Sequence, residues 1–303
     1  MIELRQLRNF LALAEHLHFS KAATAVHLTQ PSLSRQIAAL EAELGVMLFA
    51  RHSRAVTLTA AGLDFQAHAK SVVAALELAI RSTRASARGE RGELRVSFTS
   101  VAAWTLMPAL IKRYTDTFPE VRLELNELLP KDMEKAVTTG DTDLALTFKV
   151  SDEENSCYFP LHDEPLCIAL PADHPQATAD AFDVGQLKDA PFILSPRTIA
   201  PLLHDTVLAY CRRSGFEPRI RIQPHLQQTI VNLVAEGMGV SVVPLAMRKM
   251  QIPGVIFKPI PQAPSVEFGI VWNRQNDNPC LVSFLRHVGA CAAETHSDTS
   301  ALA

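Results

Sequence analysis

The chain has 303 residues, of which 48% are hydrophobic and 20% charged, and its formal net charge is −3. This length and apolar fraction predict one large or two ordinary domains with buried cores, and they exclude a mainly disordered protein. No apolar run approaches the roughly 20 residues of a membrane-spanning helix, and Glu3 and Glu15 interrupt the stretch where a signal peptide would have its apolar core. We therefore expect a cytoplasmic protein without a membrane partner, whose five cysteines are reduced thiols.

Charge is distributed unevenly along the chain. Residues 1–92 carry eleven Lys and Arg against seven Asp and Glu, whereas residues 93–303 carry 18 against 25. A basic front and an acidic remainder indicate two modules with different partners. Because the positive surplus of the front is small, it favours nucleic acid only weakly by itself.

The front of the chain predicts three short helices. Apolar residues at helical spacing place the first one over roughly residues 4–17. Ser20 is expected as the N-cap of the second helix. After a short break that includes Gln30, Pro31 suits the first turn of a third helix, because its missing N–H costs nothing there. Gly45 is a natural stop for that helix.

A basic hairpin completes this first module. The β-prone runs at 46–49 and 55–59 flank a polar tip that carries Arg51 and Arg54. Two helices joined by a tight break and followed by a hairpin describe a winged helix-turn-helix, whose second helix enters the major groove of DNA. Gln can pair with adenine, Ser is permissive, and Arg can fork onto guanine or phosphate. The predicted contacts at the start of this recognition helix are Gln30, Ser32, Ser34 and Arg35.

A long helix is predicted next, from the capping residue Thr59 to about Arg88. A seam of apolar and small residues at spacings of 4, 3, 4, 3 and 4 favours pairing with a second copy of the chain. Packing against its own chain is the alternative. In a homodimer, the recognition helices would lie about 34–36 Å apart, one turn of DNA. The seam residues are Phe65, Ala69, Val72, Leu76, Ala79 and Thr83.

From residue 93 onward, predicted strands and helices alternate. The β-α-β-α-β order over 93–148 implies a parallel sheet with right-handed crossovers, and a second set over 165–244 implies another such lobe. The expected domains are a DNA-binding domain at 1–58, a linker and dimerisation helix with hinge at 59–92, and an effector-binding domain at 93–303. Within the last, the first lobe covers about 93–161 and 267–303, and the second about 162–266.

A ligand cleft is expected between these two lobes, because ligands of open α/β sheets bind outside the carboxyl ends of the strands. Hydroxyls and backbone amides where a helix begins, near Ala103, would hold a carboxylate. Arg197 is a candidate bidentate partner for an acidic ligand. The alternative for Thr99 and Ser100 is a simple helix cap. The candidate effector-binding residues are Thr99, Ser100, Val101, Ala102, Thr147, Phe148, Ser195, Arg197, Gln227 and Thr229.

Motifs of catalysis or metal binding are missing from the sequence. There is no G-x-S-x-G, P-loop or H-E-x-x-H, and Gly237 and Gly239 follow a helix instead of a strand, which is the wrong order for a dinucleotide fingerprint. For His162 to Glu164, a solvated loop is the favoured interpretation and a metal site is the less favoured one. We expect no enzyme, no cofactor and no metal. The rival hypothesis is an α/β solute-binding protein or enzyme with a basic N-terminal appendage.

The string FSKAATAVHLTQPSLSRQIAALEAELGVMLFARHSRAVTLTAAG, at residues 19–62, resembles the winged helix-turn-helix of LysR-type transcriptional regulators. The resemblance extends, more loosely, to EGMGVSVVP at 236–244. It implies an α/β protein with an N-terminal winged helix-turn-helix, a long linker helix and a two-lobed, periplasmic-binding-protein-like effector domain. It also implies promoter DNA and a small-molecule effector as partners, and a homodimer that pairs into a homotetramer whose DNA bend relaxes when the effector binds.

The resemblance also assigns individual positions. Gln30, Pro31, Ser34 and Arg35 match the family's DNA-contacting helix and Arg54 its wing arginine; Ser20 completes the expected DNA-binding set. The strings RQIAALE and LFARHSRAVTLT are similar to regulators of aromatic-compound catabolism, which implies an acidic or aromatic effector. Val101 and Phe148 stand where the muconate- and benzoate-binding branch has a small polar residue or Arg, and this departure predicts a different, more apolar ligand. Whether the protein activates or represses stays open.

Overall fold

The computed structural model describes residues 1–52, 55–149, 155–178 and 182–299, with side chains for all of these except 51, 52, 55 and 290–299. The chain divides into two compact units, Met1–Ala85 and Ser86–Ala303. None of the described helices is long and apolar enough to cross a membrane.

The described residues of the first unit form three short helices, two antiparallel strands and a long helix. The strands pair antiparallel, with Phe49 opposite Leu58. In chain order, the elements are α1 (Leu4–His16), α2 (Phe19–Ala25), α3 (Gln30–Leu44), β1 (Phe49–His52), β2 (Ala55–Leu58) and α4 (Ala60–Ala87).

Two local expectations for this unit were wrong. The N-cap of α2 is His18, whose ring accepts a hydrogen bond from the Lys21 amide at 3.5 Å, so Ser20 lies inside the helix. The first strand begins at Phe49 instead of residue 46 because Gly45 ends α3 in the left-handed conformation (φ 71°) and the chain then runs through exposed residues before it enters the hairpin. The expected cap of α4 is confirmed, since Thr59 Oγ1 accepts the Gly62 amide at 2.9 Å.

Aromatic rings form the centre of this unit and include the start of α4. Phe10 of α1 contacts Phe49 of the hairpin and Phe65 of α4, with ring centroids 5.3 and 5.0 Å apart. Ala69 is also buried here. The first two residues of the predicted seam therefore pack against their own chain. Farther along α4, Val72 is 51% exposed and its apolar surface is uncovered within one chain.

In the described part of the second unit, strands and helices alternate, and the strands form a seven-stranded mixed sheet and a separate two-stranded one. Two short 3₁₀ turns, Val184–Leu187 and Leu245–Met250, lie among its longer elements. These are β3 (Arg91–Phe98), α5 (Ser100–Trp104), α6 (Met107–Thr117), β4 (Glu120–Glu127), α7 (Pro130–Thr138), β5 (Leu144–Phe148), β6 (Ser156–Pro171), β7 (Pro191–Ile193), α8 (Pro201–Arg213), β8 (Arg219–Ile222), α9 (Gln227–Ala235), β9 (Ser241–Pro244), β10 (Val255–Pro259), β11 (Ser265–Asn273) and α10 (Pro279–Thr299).

The long strand β6 joins the two lobes of this unit. Its first half pairs with β11, which continues through β5 and β3 to β4 and forms the first lobe. Its second half pairs with β9 and β10 in the second lobe, where β7 and β8 pair separately. The parallel arrangement predicted over 93–148 is confirmed, because β3 pairs parallel with both β4 and β5. The expectation of purely parallel lobes was wrong, because β11 pairs antiparallel with β5 and β6, and β6 pairs antiparallel with β9 and β10. The sheet is mixed because the chain returns to the first lobe through β11.

The stretch from His162 to Glu164 belongs to β6 and is not a solvated loop. Glu164 is buried, and its Oε1 accepts the Ala246 amide at 2.8 Å. Its Oε2 lies 3.0 Å from His162 Nε2. The carboxylate thus ties the middle of β6 to the 3₁₀ turn that follows β9.

A buried aspartate, paired with a half-buried arginine, fixes the start of β5. The Asp143 carboxylate accepts hydrogen bonds from the backbone amide of Arg95 at 2.8 Å, from its Nη2 at 3.1 Å and from the side chain of Asn276 at 3.2 Å. Burial alone would raise the pKa of Asp143, but hydrogen bonds from Arg95, Asn276 and Asn278 outweigh it and hold that pKa below its ordinary value.

Replacing Asp143 with Asn should lower the free energy of unfolding of this unit by about 1–3 kcal/mol at pH 7. The aspartate's stabilisation is complete above its unfolded-state pKa, roughly 4, and is lost as the pH falls through its lower folded-state pKa. The difference in the free energy of unfolding between wild type and D143N should therefore become smaller below about pH 4. Urea unfolding at several pH values measures it, because both tryptophans, Trp104 and Trp272, lie in this unit. The exposed Asp173→Asn is the control, and a difference that does not change with pH would contradict the assignment.

Candidate DNA-binding surface and effector cavity

The recognition helix α3 begins with an uncovered outer face. Leu33 and Ile37 are buried in the core, so the residues between them face outward. The first turn carries no acidic residue, and the positive end of the helix dipole is available to a phosphate. The predicted residues of α3 are all accessible, three exposed and two half-buried: Gln30, Pro31, Arg35, Ser32 and Ser34.

Ser20 contacts the recognition helix directly. Its hydroxyl donates a hydrogen bond to Gln30 Oε1 at 2.8 Å, across the break between α2 and α3. This contact fixes the position of the Gln30 amide oxygen on a side chain that is otherwise exposed. Arg35 is less constrained, since its Nε makes only a long contact of 3.4 Å to the Pro31 carbonyl.

A buried glutamate fixes the hairpin against α3. Glu41 is 5% exposed, and its Oε1 accepts the amides of Leu48 and Phe49 at 2.9 and 3.1 Å. Sequence analysis did not single out Glu41, because a glutamate inside a helix normally faces solvent. The expected wing residues are not placed: Arg54 and the side chain of Arg51 lie outside the described residues.

A polar groove runs between α1 and α3. Its volume is about 470 Å³, and Arg5 and Gln6 of α1 face Ser32 and Arg35 of α3 across it. Arg5 is an accessible cation beside the recognition helix that sequence analysis missed. It follows Glu3 in an amphipathic stretch, and only the packing of α1 on α3 places it there.

The second unit contains a cavity of about 320 Å³ between its two lobes. The structure brings together six of the ten candidate effector residues at its wall. Ala102 is buried behind them, Thr147 lines a neighbouring cavity, and Arg197 and Thr229 are outside the cavity lining. The six are Thr99, Ser100, Val101, Phe148, Ser195 and Gln227.

Arg197 does not face this cavity as an anion-binding residue. Its Nε donates to both carboxylate oxygens of Asp205, at 2.8 and 3.0 Å, on the exposed surface. The hydrogen bond and the charge of this pair raise the pKa of Arg197 and lower that of Asp205. Asp205 lies one turn into α8. Sequence spacing alone did not indicate that it would form an ion pair with Arg197.

Several wall residues were missed by sequence analysis. The connection from Glu127 to Pro130 follows the carboxyl end of β4, so the rule that selected Thr99 applies to it as well. The others precede or begin helices of the second lobe. They are Ala200, Leu203, His225, Leu226 and Gln228. The helix near Ala103 is also two helices, α5 and α6, and α5 already begins at Ser100.

Helix N-termini converge on this cavity. Pro130 is the first residue of α7, Gln227 is the first residue of α9, and Ala200 directly precedes α8; all three line the wall. The positive ends of these helix dipoles favour a negative charge. None of the described residues that line the cavity is Lys or Arg. An anion at this wall would therefore meet helix dipoles and hydroxyls and not the side chain of a Lys or Arg.

Two buried polar atoms at the wall make no hydrogen bond within the described part of the chain, Thr99 Oγ1 and Gln227 Oε1. The other end of the Gln227 amide is used, since Nε2 donates to Ser195 Oγ at 3.0 Å. Buried polar groups normally have a partner, and leaving one without a partner costs about 1–3 kcal/mol. Thr99 and Gln227 both line the cavity, so a ligand bound there would lie next to them.

A neighbouring cavity of about 620 Å³ shares part of this wall, including Phe148 and Leu203. It is lined by charges of both signs. Lys149 Nζ lies 3.7 Å from Glu267, and Lys131 Nζ lies 3.9 Å from Asp132. Thr147 Oγ1 is buried there without a hydrogen bond in the described structure.

The thiols of this unit are suited to packing. Burial raises the pKa of Cys167 to about 12 and that of Cys211 to about 11, so both are protonated and unreactive at neutral pH. Within the described ranges, no group of three His, Cys, Asp or Glu is arranged to hold a metal ion.

Replacing Thr99 with Val should leave the stability of the second unit unchanged or slightly higher, because the lost hydroxyl makes no hydrogen bond. Thr142→Val is the matched control. Thr142 is equally buried, but its hydroxyl lies within 3.0 Å of the Arg95 and Leu144 carbonyls, so its loss should cost about 1 kcal/mol. Urea unfolding followed by tryptophan fluorescence compares the two variants. A loss of stability in T99V as large as that in T142V would show that the hydroxyl is already bonded.

Comparison with known proteins supports the reading of both units. Residues 4–63 match the family described as "Bacterial regulatory helix-turn-helix protein, lysR family", and residues 87–292 match "LysR substrate binding domain". The HTH-type transcriptional regulator IlvR of Caulobacter vibrioides is 35% identical over 290 residues, 95% of this chain and 97% of that protein. AlsR of Bacillus subtilis is 31% identical over 96% of both chains.

Solved structures agree with these sequence matches. The crystal structure of CbnR, a LysR family transcriptional regulator, has a TM-score of 0.85 at 26% identity and covers 95% of this chain and 100% of its own. Full-length CbnR in complex with its target DNA has a TM-score of 0.79 at 25% identity, over 96% of this chain and 100% of its own. The relatives are named as transcriptional regulators, so the enzyme and solute-binding alternative is not favoured. The chain belongs to the LysR family of DNA-binding transcriptional regulators, with a helix-turn-helix unit and a two-lobed effector-binding unit.

Proposed function

We propose that this regulator responds to a small organic acid held in the 320 Å³ cavity between its lobes. The observation that carries the proposal is the combination of three helix N-termini with the buried, unpaired atoms Thr99 Oγ1 and Gln227 Oε1 at one wall. Ser100, Val101, Phe148 and Ser195 complete the proposed site. The apolar side chains would pack against the body of the acid and exclude water from it.

DNA contact is proposed for the start of α3 and for the hairpin. Phosphate contacts position a protein on DNA, and base contacts supply sequence discrimination. Gln30, held by Ser20, and Arg35, with its guanidinium uncovered, are the proposed base-reading residues. The remaining proposed contacts are Ser20, Pro31, Ser32, Ser34, Arg51 and Arg54.

The division of labour follows the predicted domains: residues 1–58 bind DNA, 59–92 pair two chains, and 93–303 bind the effector. Effector binding shifts a conformational equilibrium only if its affinity differs between the two arrangements. A ligand that contacts both lobes around β6 meets this condition, because opening the lobes would break half of its contacts. We propose that lobe closure changes how dimers assemble and thereby changes the bend of the DNA.

The uncovered part of α4 supports pairing with a second copy. Of the seam residues beyond Ala69, Val72, Ala79 and Thr83 are exposed and Leu76 is half-buried, so this face of the helix has no full cover within one chain. Formation of a homotetramer from two dimers, a cytoplasmic location beside the chromosome, and membership of the aromatic-catabolism branch belong to the same proposal. For the branch, the support is the pair of strings RQIAALE and LFARHSRAVTLT.

Footprinting of the purified protein on the DNA upstream of its own gene tests the proposal as a whole. We expect protection over two helical turns or more, which shortens when an effector acid is added, at two salt concentrations. Protection that no organic acid alters would remove the effector half of the proposal. Absence of a discrete protected site at low salt would remove the DNA-binding half.

Arg35→Ala should abolish specific binding in this assay, because a fork onto guanine contributes about 1–3 kcal/mol of discrimination and a phosphate contact contributes further affinity. Dimerisation and effector binding should not change. The control is Arg221→Ala, which removes an exposed charge from the effector unit. Operator affinity retained by R35A would contradict the role of α3.

Val72→Glu should weaken the dimer, since two copies of the seam would bring an uncompensated charge into an apolar contact. Size-exclusion chromatography with light scattering at several protein concentrations measures the shift toward monomer. Lys70→Glu, an exposed residue two positions away, is the control for the charge change. An unchanged dimer in V72E would place the interface elsewhere.

A further inference from the structure

The charge of the cavity wall limits the charge of its ligand. Three helices of nine or more residues, α7, α8 and α9, begin there, and the described lining contains no Lys or Arg. The one carboxylate at the wall is that of Glu127, which is exposed at the rim. Partial positive charges from helix dipoles suit a single anionic group, whereas a second one would meet Glu127 or apolar side chains.

The unpaired amide oxygen adds a second requirement. Gln227 is 6% exposed, its Nε2 is used by Ser195, and its Oε1 has no partner in the described structure. An amide oxygen only accepts hydrogen bonds, so the ligand must present an N–H or O–H group to it. The Thr99 hydroxyl, 2% exposed and also unpaired, is a second acceptor at the same wall.

One of the helix starts and the unpaired amide oxygen belong to the same residue, and this constrains the arrangement of groups on the ligand. Gln227 is both the first residue of α9 and the owner of the unpaired oxygen. A carboxylate at that helix start therefore has a hydrogen-bond acceptor beside it. The volume of about 320 Å³ is near the lower end of the roughly 300–1,000 Å³ of small-molecule sites, so the ligand is small.

We infer that the effector is a small monocarboxylate with a hydrogen-bond donor, a hydroxyl or an ammonium group, on the carbon next to its carboxylate. The inference rests on the proposed function of the cavity. The carboxylate lies at the helix starts, the donor faces Gln227 Oε1, and the carbon chain packs on Val101, Phe148 and Leu203. An ammonium donor would gain an additional attraction from Glu127 at the rim.

The neighbouring cavity offers the main competing ligand class. A longer dianion would place its second carboxylate near Lys131 and Lys149. Both lysines already lie within 4 Å of a carboxylate, at Asp132 and Glu267, and Asp205 lines the same cavity. The observations thus favour one negative charge, and the dianion becomes an outcome of the test.

Isothermal titration of the full-length protein with acids of one carbon skeleton tests the inference. The probes are 2-hydroxy-3-methylbutanoate and L-valine, which carry the donor, 3-methylbutanoate, which lacks it, and the dianion methylsuccinate. We expect at least one donor-bearing acid to bind more than tenfold tighter than 3-methylbutanoate, because a site built to pair a ligand donor rejects an analogue without it.

Two variants connect this preference to the wall. Gln227→Met should reduce the preference for the donor-bearing acid over 3-methylbutanoate to below threefold, without weakening the binding of 3-methylbutanoate itself. The control is Gln223→Met, at an exposed residue outside the cavity lining, which should keep the full preference. If Q227M fails to fold, Thr99→Val replaces it and should weaken binding of the donor-bearing acid at least threefold.

The results that would overturn the inferred ligand class differ from those that would overturn the cavity as the effector site. Equal binding of 3-methylbutanoate and its 2-hydroxy analogue, or tighter binding of methylsuccinate, would overturn the inference and leave the cavity as the effector site. The same holds if none of the four probes binds, because the class would then be wrong. Binding of any of these acids that persists when Ala200→Trp fills the cavity would overturn the cavity assignment itself, and the inference with it.

Discussion

The strand β6 is the constraint on which the effector unit depends. It is 16 residues long, and its two halves belong to different lobes, the first paired with β11 and the second with β9 and β10. The buried Glu164 carboxylate anchors its middle to the turn after β9 through the Ala246 amide. Because the lobes share this strand and this anchor, the ends of β3, β5 and β7 and the starts of α7, α8 and α9 are brought to one place, and the cavity forms between them.

The cavity handles charge without formal cations at its wall. An arginine in a cleft binds many anions, whereas helix dipoles, hydroxyls and an amide impose direction and distance. The one arginine that sequence analysis expected there is paired with Asp205. In the proposed site, selectivity would come from two buried polar atoms that make no hydrogen bond in the described structure, Thr99 Oγ1 and Gln227 Oε1. Leaving these atoms unpaired destabilises the folded unit, and the packing of its other residues offsets this loss of stability.

The DNA-binding unit is also organised by polar side chains that position their neighbours, the buried Glu41 and Asn9 and the exposed Ser20. Glu41 ties the hairpin to α3 through two backbone amides, Asn9 donates its amide to Gln36 and ties α1 to α3, and Ser20 orients Gln30. The proposed DNA-binding surface is thus positioned by hydrogen bonds to residues of the neighbouring elements. A substitution at Glu41 or Asn9 would alter DNA recognition without touching DNA.

The sequence by itself determined the elements whose signals are local. Helical spacing, Pro31, Gly45 and Thr59 located the helices of the first unit within a few residues. The rule that ligands bind at strand ends selected five of the wall residues, and the start of a helix selected Gln227. What it did not determine depends on contacts between distant segments. The mixed sheet follows from the return of the chain through β11, the pairing of Arg197 from the position of α8, and the burial of Glu41 and Glu164 from amides seven and 82 residues away. Local spacing reports which face of an element is apolar, whereas only the tertiary structure decides which partner a polar side chain meets and which one is left for a ligand.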